Sequence, residues 1–196
     1  MAFSSFSLGG IRDGTVISCH CPPHTPLRLG ASACAVILDG GKARLHIPAP
    51  DEVFFSPDQG TCCIVSLNTF RLTLGMKELI GYHAAGAPGH LFQLGFFGEI
   101  TLKVAHIRGL SLLLRRSSDI TVDTLFPMLG ETLRPVMIEA FQSVLGSQPV
   151  DYQEILAQRA QLQVAAEKAL FWALYPLGLC VKPHSFSIKG FSKPML

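Results

Sequence analysis

The spacing of apolar residues changes once along this chain, and the change separates a strand-rich front from a helical back. Up to Ser117-Ser118, short apolar runs alternate with period two or sit between glycine-bearing turns, as in strands of a half-buried sheet. "AVILDGGKARLHI", Ala35 to Ile47, predicts a hairpin, because two β-prone runs flank Asp39-Gly40-Gly41 and glycine supplies the positive φ of a tight turn. "CIVSL", Cys63 to Leu67, reads as a buried strand. In "LFQLGFFGEITLKVAHI", Phe92, Leu94 and Phe96 share one face and Ile100, Leu102 and Val104 another, so Gly95 and Gly98 predict a bulge or tight bend. "MKELIGYHAAGAPGH", Met76 to His90, reads as a flexible connection.

Past Ser118 the period is 3.6. Leu125, Leu129, Val136, Ala140 and Val144 recur at helical spacing. Thr121 or Asp123 can cap the start, Pro127 falls in or just past the first turn, and Pro135 predicts a kink or division near Gly130 to Thr132. A second helix is expected from Asp151 as N-cap, with Glu154 completing a capping-box-like arrangement, to about Tyr175 before Pro176 and Gly178. Its inward stripe reads Ile155, Leu162, Ala166, Ala169 and Ala173, with Glu154, Gln158, Gln161 and Lys168 opposite. "HSFSIKG", His184 to Gly190, alternates again as a closing strand. The expectation is an α+β fold: a mostly antiparallel sheet, a helical hairpin packed on one side, and a closing C-terminal strand. It is laid out as one domain over residues 1–196, with a tail at 1–14, a β-rich part at 15–117, helices at 119–178 and the last strand at 181–191.

Composition sharpens this picture. Hydrophobic residues make up 48% and charged residues 15%, against roughly 25% charged in an average soluble domain. A chain so poor in charge predicts a face meant for a partner or a membrane. Phe171 and Trp172 mark such a face, since Trp172 falls on the polar side of the second helix and makes its last turns apolar all round. Two readings stand: the end is covered by the sheet or the N-terminal tail, or it is a subunit contact, where Trp is favoured. The net charge is +2 and the longest basic run is Arg115-Arg116, so no nucleic-acid partner is expected. The charge-free stretch Leu79 to Gly98 carries five glycines and is a poor membrane span. The N-terminus lacks the basic and apolar regions of a signal peptide. The expected location is the cytoplasm, with peripheral membrane contact open, and the six cysteines are expected as reduced thiols.

The densest candidate chemistry is "SCHCPPH", Ser18 to His24. Cys19 and Cys21 lie one residue apart and should share a strand face, with His20 on the other, before Pro22-Pro23 ends the strand. With His24 and the pair Cys62-Cys63 they are candidate zinc ligands, although structural zinc prefers wider spacing within each ligand pair. The alternative is a strand whose thiols act as small core hydrophobes. "QGTCC" lacks the rest of a papain-like nucleophile signature, and no phosphate-cradling glycine loop, G-x-S-x-G or H-E-x-x-H occurs. The sequence therefore predicts no enzyme, no cofactor and no small-molecule substrate.

The back half resembles an SPFH (Band 7) domain, most closely the soluble bacterial branch often labelled virion-core-protein-like. The residues that carry the resemblance are Glu154-Ile155, Leu162, Leu170, Leu177-Gly178-Leu179, Val181, Phe186, Ile188, Phe191 and Pro194. The glycine has a physical reason there, as a left-handed helix C-cap before the chain returns as a strand. The front is similar to the family's opening strands, "dGk" hairpin and "fG.y.l.i.d" segment through "DGGK" and "LFQLGFFGEITLKVAHI". The resemblance spans about Asp13 to Pro194 and implies a non-enzymatic scaffold that self-associates or docks another protein, often at a membrane surface. The long coiled coil, membrane anchor and zinc ribbon of many members are not in this sequence, so a dimer or docking module is expected in place of a large ring. The alternative function is a metal-binding or thiol-dependent protein built on Cys19, Cys21, His24, Cys62 and Cys63.

Overall fold

The computed structural model describes residues 14–40, 42–47, 52–83, 91–114, 119–146 and 150–192. The chain is α+β, with largely antiparallel sheets and helices packed against them, and it falls into two compact units. The first comprises Met1–Phe70, Lys103–Leu125 and Pro176–Cys180; the second comprises Arg71–Leu102, Phe126–Tyr175 and Val181–Leu196.

The first unit is built on β1 (Thr15–Cys21), β3 (Ala33–Asp39), β4 (Lys42–His46), β6 (Thr61–Ser66) and β9 (Asp119–Thr121). They form one antiparallel sheet in the order β4-β3-β6-β1-β9. The hairpin read at Ala35 to Ile47 is β3 and β4, with Asp39 opposite Lys42 and Gly40 at φ 51. β6 is buried from Cys62 to Ser66, as its apolar run requires. The short strands β2 (Pro26–Leu27) and β5 (Phe54–Phe55) pair with each other beside the sheet.

One element of this unit escapes the sequence reading. Residues 107–114, expected as strand and turn, form the helix α1 (Ile107–Leu114), burying Gly109, Leu110 and Leu113. The segment Pro176 to Gly178 passes so close that a Cβ on Gly109 would lie 2.1 Å from the Gly178 nitrogen. Gly178 itself holds φ 82, the left-handed conformation anticipated for it.

The second unit carries β7 (Phe70–His83), β8 (Leu91–Val104), β10 (Val150–Asp151) and β12 (Ser187–Ser192). β10 pairs with β7 in parallel, β7 neighbours β8, and β12 pairs β8 in antiparallel register; β11 (Leu179–Val181) also lies beside β8. Two expectations are corrected here. Met76 to His83 is not a connection but the second half of β7, fixed by the buried Met76, Leu79 and Ile80; residues 84–90 lie outside the described set. Nor does the β8 side-chain pattern switch faces at Gly95 and Gly98, because Leu94, Phe96, Ile100 and Leu102 are all buried. The bulge is in the partner strand, where β12 takes two residues, Ile188 to Gly190, against one step of β8. A Cβ at Gly98 would come 2.7 Å from the Ser187 oxygen, so close strand approach explains that glycine.

The long helix α2 (Val122–Leu145) begins with a reciprocal cap. The Thr124 amide donates to Thr121 Oγ1 at 3.2 Å and the Thr121 amide donates to Thr124 Oγ1 at 2.9 Å, so Thr121 is the cap. The division expected at Pro135 does not occur. Pro127 and Pro135 are exposed, as are Asp123 and Glu131 four residues before each, so the carbonyls left without a helical donor meet water. The buried row is Leu125, Leu129, Leu133, Met137 and Phe141, while Val136 and Val144 are half-buried. In the second unit's core Phe141 meets Phe96 edge-on at 5.4 Å, and Phe186 meets the same ring at 6.2 Å.

The second predicted helix is two: α3 (Tyr152–Ala157) and α4 (Arg159–Leu174), parted at Gln158 (φ −90, ψ 7). Asp151 occupies the N-cap position but makes no side-chain cap, and the Glu154 carboxylate instead accepts from Gln158 Nε2 at 3.2 Å. The fully buried row is Ile155, Leu162, Ala166, Leu170 and Leu174, with Ala169 and Ala173 half-buried.

Candidate functional site

Two places carry the side chains singled out in the sequence: the cysteine-bearing strands of the first unit and the end of α4 in the second. In the first, β1 and β6 run antiparallel with Ser18 opposite Ile64 and Cys21 opposite Cys62. Between those pairs β1 spends three residues and β6 two, which is a β-bulge. The bulge overturns the expectation that Cys19 and Cys21 share a face. Cys62 and Cys63 are consecutive strand residues and so point to opposite sides; Cys63 bonds Cys19 and Cys62 faces Cys21.

Cys19 and Cys63 form a disulfide, which corrects the expectation of six reduced thiols for these two. The register explains it, because it sets the two residues against each other across neighbouring strands. On the other face Cys62 belongs to a buried cluster with Leu27, Leu29, Ala33, Ala35 and Ile64, and Cys21 and Phe54 pack against it. Burial, reinforced by the Cys21 thiolate charge and a hydrogen bond to Cys21, pushes the Cys62 thiol up to about 12. Burial also raises Cys34. A protonated Cys62 and a disulfide-bonded Cys63 leave neither placed as a nucleophile.

The zinc candidates are not assembled into one site. Two of the five are consumed in the disulfide, Cys21 and Cys62 lie on the other face, and His24 is exposed in an ion pair with Asp58. Among the described residues, no three of His, Cys, Asp and Glu converge as metal ligands. The turn after β1 has a different anchor, which the sequence did not advertise. Buried Ser56 accepts from the Thr25 amide at 2.8 Å and donates to the Pro22 carbonyl. Thr25 Oγ1 donates to the same carbonyl at 2.8 Å, and His24 takes φ 55 at the turn. "SCHCPPH" is thus a strand, a bulge and a pinned turn.

At the end of α4, no sheet covers Trp172 among the described residues, since it is 65% exposed; the N-terminal tail of the other reading, residues 1–13, lies outside the described residues. Phe171 packs edge-on to it at 5.3 Å and stacks on Tyr175 at 5.7 Å. Val164, 71% exposed and two turns earlier, extends the apolar face toward the helix start. The opposite work is done by a polar row that sequence reasoning passed over. Arg159 donates to the Ile188 carbonyl, Gln163 accepts from the Ile188 amide at 3.0 Å, and Glu167 accepts from the His184 and Phe186 amides at 2.7 and 2.8 Å. Their spacing of four residues was the available signal. This row holds the chain between His184 and Ile188 on a side of α4 away from Trp172.

No helix among the described residues is long and apolar enough to cross a membrane. No protein-family model matches this chain, and no curated protein matches it significantly.

Proposed function

We propose that this chain is a non-enzymatic interaction domain of the SPFH (Band 7) type, which self-associates or docks a partner protein through the aromatic end of α4. The observation that carries the reading is the exposure of Trp172 beside Phe171 and Tyr175. An indole left in water beside two other aromatic rings, on a helix anchored by a buried apolar row, is the kind of residue that anchors protein interfaces. The SPFH assignment draws its support from the element order, strands then two helical stretches then closing strands, and from Gly178 at φ 82 where the helix ends. The reading places the protein in the cytoplasm, with peripheral attachment to a membrane as a further part of the proposal.

Light scattering on the wild type and Trp172→Glu tests the contact. The expected result is an oligomeric wild type and a smaller, folded variant. A wild type that is strictly monomeric and retains no protein partner sinks the reading.

The second reading is a thiol-dependent protein. It is favoured by one observation, the Cys19–Cys63 disulfide on the same two strands as the facing thiols Cys21 and Cys62. Such bonds persist in oxidising surroundings and are rare in the cytosol unless catalytic or redox-sensing, so this reading competes with the cytoplasmic placement as well. Mass spectrometry of alkylated, unreduced protein from the producing cell decides it: a Cys21–Cys62 bond that forms and breaks with the redox state favours it. Elemental analysis of the same sample tests the metal-binding form, which requires stoichiometric zinc.

A further inference from the structure

We propose that the solvent face of the second unit's sheet holds a binding site for a phosphate group, formed by Arg71, Lys182 and Lys189. The three cations come from β7, the turn after β11 and β12, and they line one shallow cavity of about 280 Å³ with Glu99, Thr101 and Ser187. Glu99 pairs with Lys189 at 3.3 Å and is the cavity's one carboxylate. Arg71 and Lys182 are exposed and have no ion pair among the described residues. The formal surplus of about two positive charges matches the roughly −1.5 to −2 that a phosphate monoester carries near neutral pH. The fork of Arg71 suits two phosphate oxygens at once and the ammonium groups supply point charge. Thr101 and Ser187 add hydroxyl donors of the kind that orient an anion.

The cavity wall is built in advance of any ligand. The Lys182 amide donates to the Thr101 carbonyl at 2.9 Å, which pins the turn to β8. Ser185 closes the other end, accepting from the Thr101 amide at 3.2 Å and donating to the Thr101 carbonyl at 3.3 Å. The Glu167 carboxylate then holds the His184 and Phe186 amides, with His184 at φ 57. The turn that presents Lys182 is thereby fixed on both sides, so little ordering is needed on binding. The site is proposed as a ligand site, with binding and not turnover as its role.

A phosphate monoester reaches a protein either as a soluble ester or as the headgroup of a lipid such as phosphatidic acid, and the experiment separates the two. Inorganic phosphate and glycerol 3-phosphate are titrated at low salt into wild type, Arg71→Gln/Lys182→Gln, and the control Lys42→Gln/Arg44→Gln, which removes the same charge from β4. Flotation with phosphatidylcholine vesicles, with and without phosphatidic acid, runs in parallel. Expected is saturable binding that the site variant weakens at least tenfold and the control leaves unchanged, with circular dichroism showing both folded. The charge-conserving Arg71→Lys/Lys182→Arg should retain most of the binding. Flotation that needs phosphatidic acid and fails in the site variant assigns the lipid source, and soluble binding without flotation assigns the free ester. No binding in either assay, or equal loss in both double variants, overturns the proposal.

Discussion

Cys62 lies 2% exposed among Leu27, Ala35 and Ile64, and burial is the first reason that its thiol is pushed up to about 12. The unfolded thiol ionises near its ordinary value of 9.0. Between those two pH values the folded protein holds a proton that the unfolded chain has released. Cys62's contribution to stability is therefore complete below about pH 9 and falls as pH rises toward 12. Urea unfolding at about pH 8 and about pH 10.5 should show this decline, and Cys62→Val should flatten it, leaving the part due to Cys34, which burial shifts the same way. Equal slopes in the two proteins would show that Cys62 is not the titrating group. Its burial was legible in the sequence, since a free cysteine in an apolar run behaves as a small hydrophobe. The partner on each face was not, because the bulge in β1 depends on how two strands align and leaves no mark in either alone.

Between elements, the join of α4 to β12 shows what periodicity reveals and what it misses. The apolar stripe of α4 was read within a residue or so: Leu162 and Ala166 are buried as expected, and Leu170 and Leu174 replace Ala169 and Ala173. The polar face read from the sequence was Glu154, Gln158, Gln161 and Lys168; Arg159, Gln163 and Glu167 had no part in it, yet they take up main-chain groups between His184 and Ile188. An apolar stripe fixes which way a helix turns, whereas a polar side chain's role depends on which backbone groups the neighbouring strand leaves unpaired. Glu167→Ala orphans two amides at once. It should cost about 1–3 kcal/mol, the range for unsatisfied polar groups, and lower the melting temperature by several degrees, measured by circular dichroism. Glu167→Gln keeps one acceptor oxygen and should lose less. A neutral Glu167→Ala would mean that water replaces the carboxylate without penalty. The same contrast explains why α1 was missed, as eight residues with a glycine inside give too short a period to register.

Across the whole molecule, the chain passes between its two units five times, so neither unit is a continuous stretch. A linear reading sees a strand-rich front, which also holds α1, and a helical back. That division does not follow the units, because α2 and β11 each have residues in both. The Cys19–Cys63 disulfide closes a span of 44 residues within the first unit. On the chain-entropy account a loop of that length constrains the unfolded state by about 4 kcal/mol. Whole domains retain only about 5–15 kcal/mol, so the redox state of this bond should govern how stable the protein is. Reductant should lower the melting temperature markedly, and the double variant Cys19→Ala/Cys63→Ala should start near the reduced value and ignore reductant. Cys21→Ala should leave the response intact, because Cys21 lies on the other face of the sheet and is not part of the bond. If wild-type protein melts at one temperature with and without reductant, and its mass shows every thiol free, the bond does not form in solution. The strand pair then holds by its backbone ladder and packing.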